Sequence, residues 1–211
     1  MQSYRWRVMY VTKAVSEPTN ILVAGIGGQG VMTAAEVLAQ TALEQDYDVK
    51  KTEVAGMAQR GGVVTSHVRF GKKVNSPAIP PGEVDLILGF EPAEAARWLD
   101  QMRPTGVVIV NQNRQEPPIV SVGLFKYPED PVGAIRECGV EVHDFNATEI
   151  AKKLGNVKLV NTVMLGAGAR FLPFPAEILK EAILARFRER KPQLVEINEQ
   201  AFLAGQEASS H

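Results

Sequence analysis

A chain of 211 residues with 45% hydrophobic content is long enough to fold as one unit that buries roughly 70% of its unfolded surface. Its formal charge of −1 leaves no footprint for a polyanion, and no apolar run nears the roughly 20 residues of a membrane span, which argues against nucleic acid and bilayer as partners. The single cysteine, Cys138, has no partner for an internal disulfide and cannot hold an iron–sulfur cluster, which needs four ligands that are mostly thiolates.

Residues 1–19 form an N-terminal extension with Arg5, Arg7 and Lys13 but no uninterrupted apolar core and no small-residue cleavage site. A tail, an edge strand or an upstream start before Met9 fits this better than a signal peptide, and a cytoplasmic location is the expectation. The run NILVAGIGGQGVMT, residues 20–33, follows. Residues 20–24 read as a buried parallel strand, because consecutive apolar residues end at a glycine cluster and leave no polar face. Gly25, Gly27 and Gly30 satisfy G-x-G-x-x-G, with Gly28 and Gln29 between them. That spacing suits a tight turn, a backbone open to close approach, and a helix whose free N–H groups favour an anion.

The next helix carries Val31, Ala35, Leu38 and Ala42 on one stripe, with Glu36, Gln40 and Glu44 outside it. Residues 47–54 are expected as the second strand, closing a right-handed βαβ crossover. Glu53 lies 23 residues past Gly30, near the distance of about 20 at which a dinucleotide fold places its ribose-binding acid, and it equally suits a solvated strand end. Residues 55–62, AGMAQRGG, then present one cation among three glycines before residues 63–70 alternate as a strand. Either Gly61 and Gly62 make a bulge with Arg60 in water, or the glycine-rich loop is functional.

Residues 71–81 read as a surface excursion with Lys72 and Lys73 at its tip, and residues 74–79 as a short edge strand pairing back. Residues 84–90 form another buried strand, Glu91-Pro92 starts a helix running to about Met102, and residues 106–111 form a further parallel strand with Asn111 and Asn113 at its carboxyl end. Beyond Pro117 a short strand is expected at 120–125, a short helix at 131–138 with Cys138 as a buried small hydrophobe, and a strand at 140–145. His67 and His143 lack metal-ligand spacing, and no Ser/His/Asp set, H-E-x-x-H pair or phosphate P-loop is visible, so no catalytic and no metal-binding residue is assigned. The last sixty residues read as helices at 147–154, 161–171, 176–188 and 193–204. Gly166 and Gly168 suggest close helix packing, Arg186, Arg188, Arg190 and Lys191 suit a helix C-terminus or a phosphate or partner patch, and Leu194, Ile197, Ala201 and Ala204 form a final apolar stripe. The fold class is therefore α/β, a Rossmann-like open, mostly parallel sheet with flanking helices and a helical C-terminal segment, in one domain over residues 20–205 with a tail at 206–211.

The pair GIGGQGV (residues 25–31) and EVAGMAQRGG (residues 53–62), followed by VVTSHVRFG (residues 63–71), resembles the gamma-type module of 2-oxoacid:ferredoxin oxidoreductases. The MAQRGG form is similar to the beta subunit of indolepyruvate ferredoxin oxidoreductase, and the likeness extends through NTVMLGAG (161–168) and EINEQAFLAG (196–205). Ala55 stands where histidine is expected in the indolepyruvate branch, a departure that bears on the substrate. The resemblance implies an accessory subunit in the oxidative decarboxylation of a 2-oxo acid, with CoA and ferredoxin, to acyl-CoA, carbon dioxide and reduced ferredoxin. Thiamine diphosphate and 4Fe-4S clusters would reside in companion subunits, ferredoxin would be reached through the complex, and the isolated chain would be inactive. The cofactor-binding residues would be Gly25, Gly27, Gly28, Gln29, Gly30, Met57, Gln59, Arg60, Gly61 and Gly62; residues 25–30 and 60–62 would form one shelf at the carboxyl edge of the sheet that holds the phosphates of CoA or braces the partner's thiamine pocket. A stand-alone NAD(P)-dependent oxidoreductase and a non-enzymatic nucleotide-binding interaction module are the other readings.

Overall fold

The computed structural model describes residues 17–56, 61–117, 120, 123, 126–189 and 191–210. Met57, Gln59 and Arg60, most of the extension, most of the strand expected at 120–125, and Arg190 lie outside the described residues. Six strands form one sheet: β1 (Thr19–Ile26), β2 (Asp48–Ala55), β3 (Val63–Gly71), β4 (Val84–Gly89), β5 (Met102–Asn111) and β6 (Glu141–Phe145). Their order is β2-β3-β1-β4-β5-β6, with β1, β4, β5 and β6 parallel and β3 antiparallel to both of its neighbours.

β3 adds to the crossover expected from the sequence a strand that the crossover spans. β2 runs in the direction of β1, but β3 lies between them, so β1, α1 (Val31–Glu44) and β2 span one strand position rather than pairing side by side. Strand β1 also runs two residues further than expected, through Gly25 to Ile26.

Alternation along the strands sorts the core into two layers. Ile21, Val23, Val68, Phe70, Leu86, Leu88 and Ile109 face α1 and the helices α4 (Ala147–Lys153), α5 (Val160–Gly168), α6 (Ala176–Arg188) and α7 (Val195–Ala208). Leu22, Ala24, Ile87, Val108 and Val110 face the other side, against Ile79, α2 (Pro92–Ala96) and α3 (Pro131–Arg136). The helix after Glu91 is thus five residues long, followed by a 3-10 turn at Leu99–Gln101, and β5 begins four residues before the expected strand. Cys138, just past α3, is half-buried rather than core. Among the described residues no helix is long and apolar enough to cross a membrane.

The excursion after β3 is not a strand. Val74 and Ile79 are buried anchors, and the segment is held by Arg69, itself 7% exposed. The Arg69 guanidinium donates to Asn20 Oδ1 at 2.8 Å and to the carbonyls of Ser76 and Ala78 at 3.0 and 2.8 Å. His67 on the same face accepts from the Ile79 N–H through Nδ1 at 3.2 Å and meets the Trp98 ring edge-on at 5.8 Å. Burial, with the Arg69 charge second, holds the His67 imidazole below its ordinary value. The unfolded chain therefore takes up the His67 proton first, so this contribution is complete above about pH 6.5 and is lost as pH falls below it. Urea midpoints of the native chain should drop between pH 7.5 and 5.5, and His67→Gln should flatten that drop; an equal slope in the variant would remove His67 as its source.

Close backbone approach marks the last helices. A Cβ on Gly166 would lie 2.1 Å from the Phe202 carbonyl oxygen, and one on Gly205 would lie 2.0 Å from that of Val163, so α5 and α7 cross at a distance only glycine permits at these two points. The buried face of α7 is Asn198, Ala201, Phe202 and Gly205, turned by about one position from the stripe expected at Leu194, Ile197, Ala201 and Ala204.

Candidate functional site

The chain leaves β1 toward β2 across one face of the sheet and leaves β4 toward β5 across the other. The carboxyl ends of β1 and β4 therefore flank a topological switch point, where open α/β sheets gather ligands. The glycine turn sits there. Gln29 folds back so that its Oε1 accepts from the Ile26 N–H at 2.8 Å, and its backbone N–H donates to the Ile26 carbonyl at 3.0 Å. Gly28 and Gly30 have φ of 105° and 90°, a region open to glycine.

The glycines divide by role. A Cβ on Gly25 would meet Gln29 Oε1 at 2.7 Å and the side chains of Phe90 and Val31 at 2.9 Å, so internal packing explains that residue, which is buried within β1. Gly28 is exposed, and a Cβ there would meet nothing within 4 Å. Gly30 caps α1 without a side-chain hydrogen bond, and the first turn of α1 carries no acidic residue. The N-terminal N–H groups of this 14-residue helix thus meet the cleft with their partial positive charge uncompensated by an acidic side chain.

β3 brings the second glycine segment to the same place. Its pairing sets Ile26 opposite Val63, the Gly27 N–H donates to the Gly62 carbonyl at 2.8 Å, and the Gly56 N–H closes the hairpin base on the Val63 carbonyl at 2.8 Å. Gly27, Gly28, Gly30, Met32 and Val64 line a dent of about 310 Å³ on the hairpin side of the turn. Glu53 does not join it: its strand is separated from β1 by β3, and its carboxylate lies 2.9 Å from Lys51 Nζ. The position of a ribose-binding acid beside the glycine turn is therefore not assembled by Glu53.

On the opposite side of the turn lies a larger cleft of about 460 Å³, walled by Gly28, Gly30, Thr33, Asn111, Asn113, Gln115, Thr148, Lys158 and Asn161. Asn161 pins α5 to α1, its Nδ2 donating to the Gly30 carbonyl at 2.6 Å. Asn111 is buried and donates to Thr148 Oγ1 at 3.1 Å. Gln115 is held from both ends: its Oε1 accepts from Gln29 Nε2 at 3.2 Å, and its N–H donates to Glu91 Oε1 at 3.3 Å. Glu91, fully buried, also caps α2 and accepts the Tyr127 hydroxyl proton, while Arg114 lies over the Tyr127 ring at 3.9 Å. Burial, reinforced by the Glu91 carboxylate, pushes the Tyr127 phenol well up, and burial likewise raises Glu94. Of these residues Asn111 and Asn113 stand out in sequence as polar groups at a strand's carboxyl end. Thr148, Lys158 and Asn161 have no such signal, because they reach the turn from 118 to 131 residues away.

A family model described as pyruvate ferredoxin/flavodoxin oxidoreductase matches residues 20–208. Indolepyruvate oxidoreductase subunit IorB of Archaeoglobus fulgidus is 39% identical over 190 residues, covering 88% of this chain and 92% of the relative. In fold the chain is similar to the gamma subunit of a keto/oxoacid ferredoxin oxidoreductase from Geobacter sulfurreducens, with a TM-score of 0.64 and 21% identity over 90% of this chain and 98% of that one. It is also similar to part of a 2-oxoglutarate:ferredoxin oxidoreductase from Magnetococcus marinus, solved with 2-oxoglutarate, coenzyme A and succinyl-CoA bound, with a TM-score of 0.69 and 20% identity over 92% of this chain and 31% of that one. The chain belongs to the pyruvate ferredoxin/flavodoxin oxidoreductase family, as a gamma-type, IorB-like subunit of the 2-oxoacid:ferredoxin oxidoreductases.

Proposed function

We propose that this chain, with residues 20–205 as its single domain, is the accessory subunit of a cytoplasmic heteromeric enzyme. That enzyme oxidatively decarboxylates an aryl 2-oxo acid, indolepyruvate being the leading candidate, with CoA and oxidised ferredoxin, yielding acyl-CoA, carbon dioxide and reduced ferredoxin. The name of the 39% identical relative supports the substrate, and the fold relative solved with coenzyme A supports the thiol acceptor. Companion subunits carry thiamine diphosphate and the 4Fe-4S clusters, which supply the carbanion and electron-transfer chemistry; one cysteine in this chain is too few to ligate a cluster.

The observation that carries the reading is the bond from the Gly27 N–H to the Gly62 carbonyl, which holds the two glycine segments as one shelf at the sheet's carboxyl edge. An anion fits that shelf: α1 begins there uncapped by any side chain, and Gly28 leaves open space above the turn. The phosphates of CoA are its proposed occupant, taken by backbone N–H groups and Arg60, or Arg60 braces the partner's thiamine pocket; Met57, Gln59 and Gly61 are the further candidate contacts. In the enzyme reconstituted with its thiamine-carrying partner, Arg60→Ala should raise the apparent KM for CoA at least tenfold with kcat little changed. An unchanged KM removes Arg60 from that role, and turnover by this chain alone would overturn the accessory reading.

A further inference from the structure

β2 is the outermost strand of the sheet beyond β3, and among the described residues nothing pairs with its outer side. An unpaired edge is a template for another strand, and proteins commonly blunt such edges with lysine, here Lys50 and Lys51. Apolar surface gathers at this edge all the same. Val54 on the strand itself is 61% exposed, and α1 overhangs it, since Glu36 on that helix pairs with Lys51. Met32, Glu36, Ala39 and Leu43 follow at spacings of four, three and four, within about 60° of arc around α1. The face of α1 turned toward the open side of β2 thus carries two large side chains in solvent, Met32 at 49% and Leu43 at 56% exposure. Of the five exposed large apolar side chains among the described residues, three flank this edge, so surplus apolar surface is concentrated where the sheet is unfinished.

Strand β2 is also complementary to itself. A two-fold axis perpendicular to the sheet sets two copies of β2 antiparallel with both α1 helices on one side, and residues facing one another then share a face and differ by an even number. Centring the pair on Lys50, Lys51 or Glu53 puts like charges directly opposite, which is unfavourable. Centring it on Thr52 pairs residues 49–55 and sets Lys51 opposite Glu53 twice and Lys50 opposite Val54 twice. Lys51 and Glu53 already lie 2.9 Å apart within one chain, so two copies close a ring of alternating charge. The Lys50 stem covers Val54, and the stripes of the two α1 helices meet antiparallel across the axis, Met32 toward Leu43. We propose that the chain self-associates through β2, a second copy continuing the sheet in this register and covering the exposed stripe of α1. The two glycine turns then lie at opposite ends of the joined sheet, so neither copy obstructs the other's.

Sedimentation equilibrium of the full chain from micromolar to millimolar concentration tests it. A reversible monomer–dimer equilibrium is expected, and a monomer throughout overturns the proposal. Lys51→Glu and Glu53→Lys each turn two unlike pairs into two like ones, and each should raise the dimer dissociation constant about tenfold or more. An equimolar mixture of the two variants should dimerise again, because every charge pair across the axis is then unlike. Leu43→Gln alters neither a charge nor a strand residue and should weaken the dimer severalfold; an unchanged constant overturns the packing of α1 across the axis. Lys152→Glu, on the exposed side of α4, which packs on α5 and α7, should leave dimerisation unchanged. A dimer unmoved by both strand variants, or strand variants that stay monomeric when mixed, overturns β2 as the seam.

Discussion

Gly205→Ala should destabilise the protein by about 3 kcal/mol, the upper part of the range for overpacking a core. Two effects of opposite sign compete at this position. Alanine is favoured over glycine inside a helix by about 1 kcal/mol, so an uncrowded α7 would gain from the change. Here the added Cβ would lie 2.0 Å from the Val163 oxygen and 2.9 Å from the Ala167 nitrogen. Both obstacles are backbone of α5, so no side-chain rotation relieves them, and the helices must separate along a seam that also carries Phe202 and Gly166. Urea unfolding measures the outcome: the midpoint should fall with the m-value unchanged. A neutral or stabilising Gly205→Ala would show that α5 and α7 do not cross this closely in solution.

Arg69→Met should cost about 2 to 3 kcal/mol, the penalty of leaving buried acceptors unpaired. Methionine keeps the aliphatic stem, so packing against the sheet largely survives, and what disappears is a cation serving three neutral oxygens. Asn20 Oδ1 and the carbonyls of Ser76 and Ala78 lose their donor together. The nearby Glu83 carboxylate, 3.9 Å from the guanidinium and 46% exposed, contributes little, as expected for a partly solvated pair. The damage should be local as well as global, with residues 72–83 losing protection from amide hydrogen exchange before the rest of the sheet. A change below about 0.5 kcal/mol, the level of ordinary surface substitutions, would remove Arg69 as the clasp of that segment.

Much of the architecture was legible because it is local. The 3.6-residue stripe of α1 and the length of α6 follow directly from apolar spacing, and β4 follows from an apolar run ended at Gly89. What escaped was decided by distant partners. The alternation of residues 63–70 shows a strand but not its neighbours, so its insertion between β1 and β2 is visible only in three dimensions. The inner face of α7 departs from its apolar stripe because Asn198 lies on it, where a polar residue is unexpected. Its amide is satisfied by Thr162 Oγ1 at 2.7 Å and by the Leu194 carbonyl at 2.8 Å, which allows it to be buried. Residues 74–79, expected as an edge strand pairing back, are instead a loop whose buried anchors Val74 and Ile79 flank carbonyls held by Arg69. At the candidate site both glycine segments were readable as motifs. Of the polar wall opposite them only Asn111 and Asn113 carry a sequence signal, since Lys158 and Asn161 look like ordinary residues around a helix start until α5 is seen docked on Gly30.

The place of β3 in the sheet also sets the order in which the glycine shelf can come into being. β2 and β3 are joined by a short loop, so they can zip as a hairpin within microseconds, using contacts near in sequence. Pairing β1 with β3 closes a loop of about 45 residues, and pairing β1 with β4 closes one of about 65, each at a greater entropic cost. The bond between Gly27 and Gly62 belongs to the first of these closures. Nascent chains that have made the hairpin but not docked β1 would lack the bond between Gly27 and Gly62, so the end of β1 and the start of β3 come together only once the sheet has grown past its first two strands.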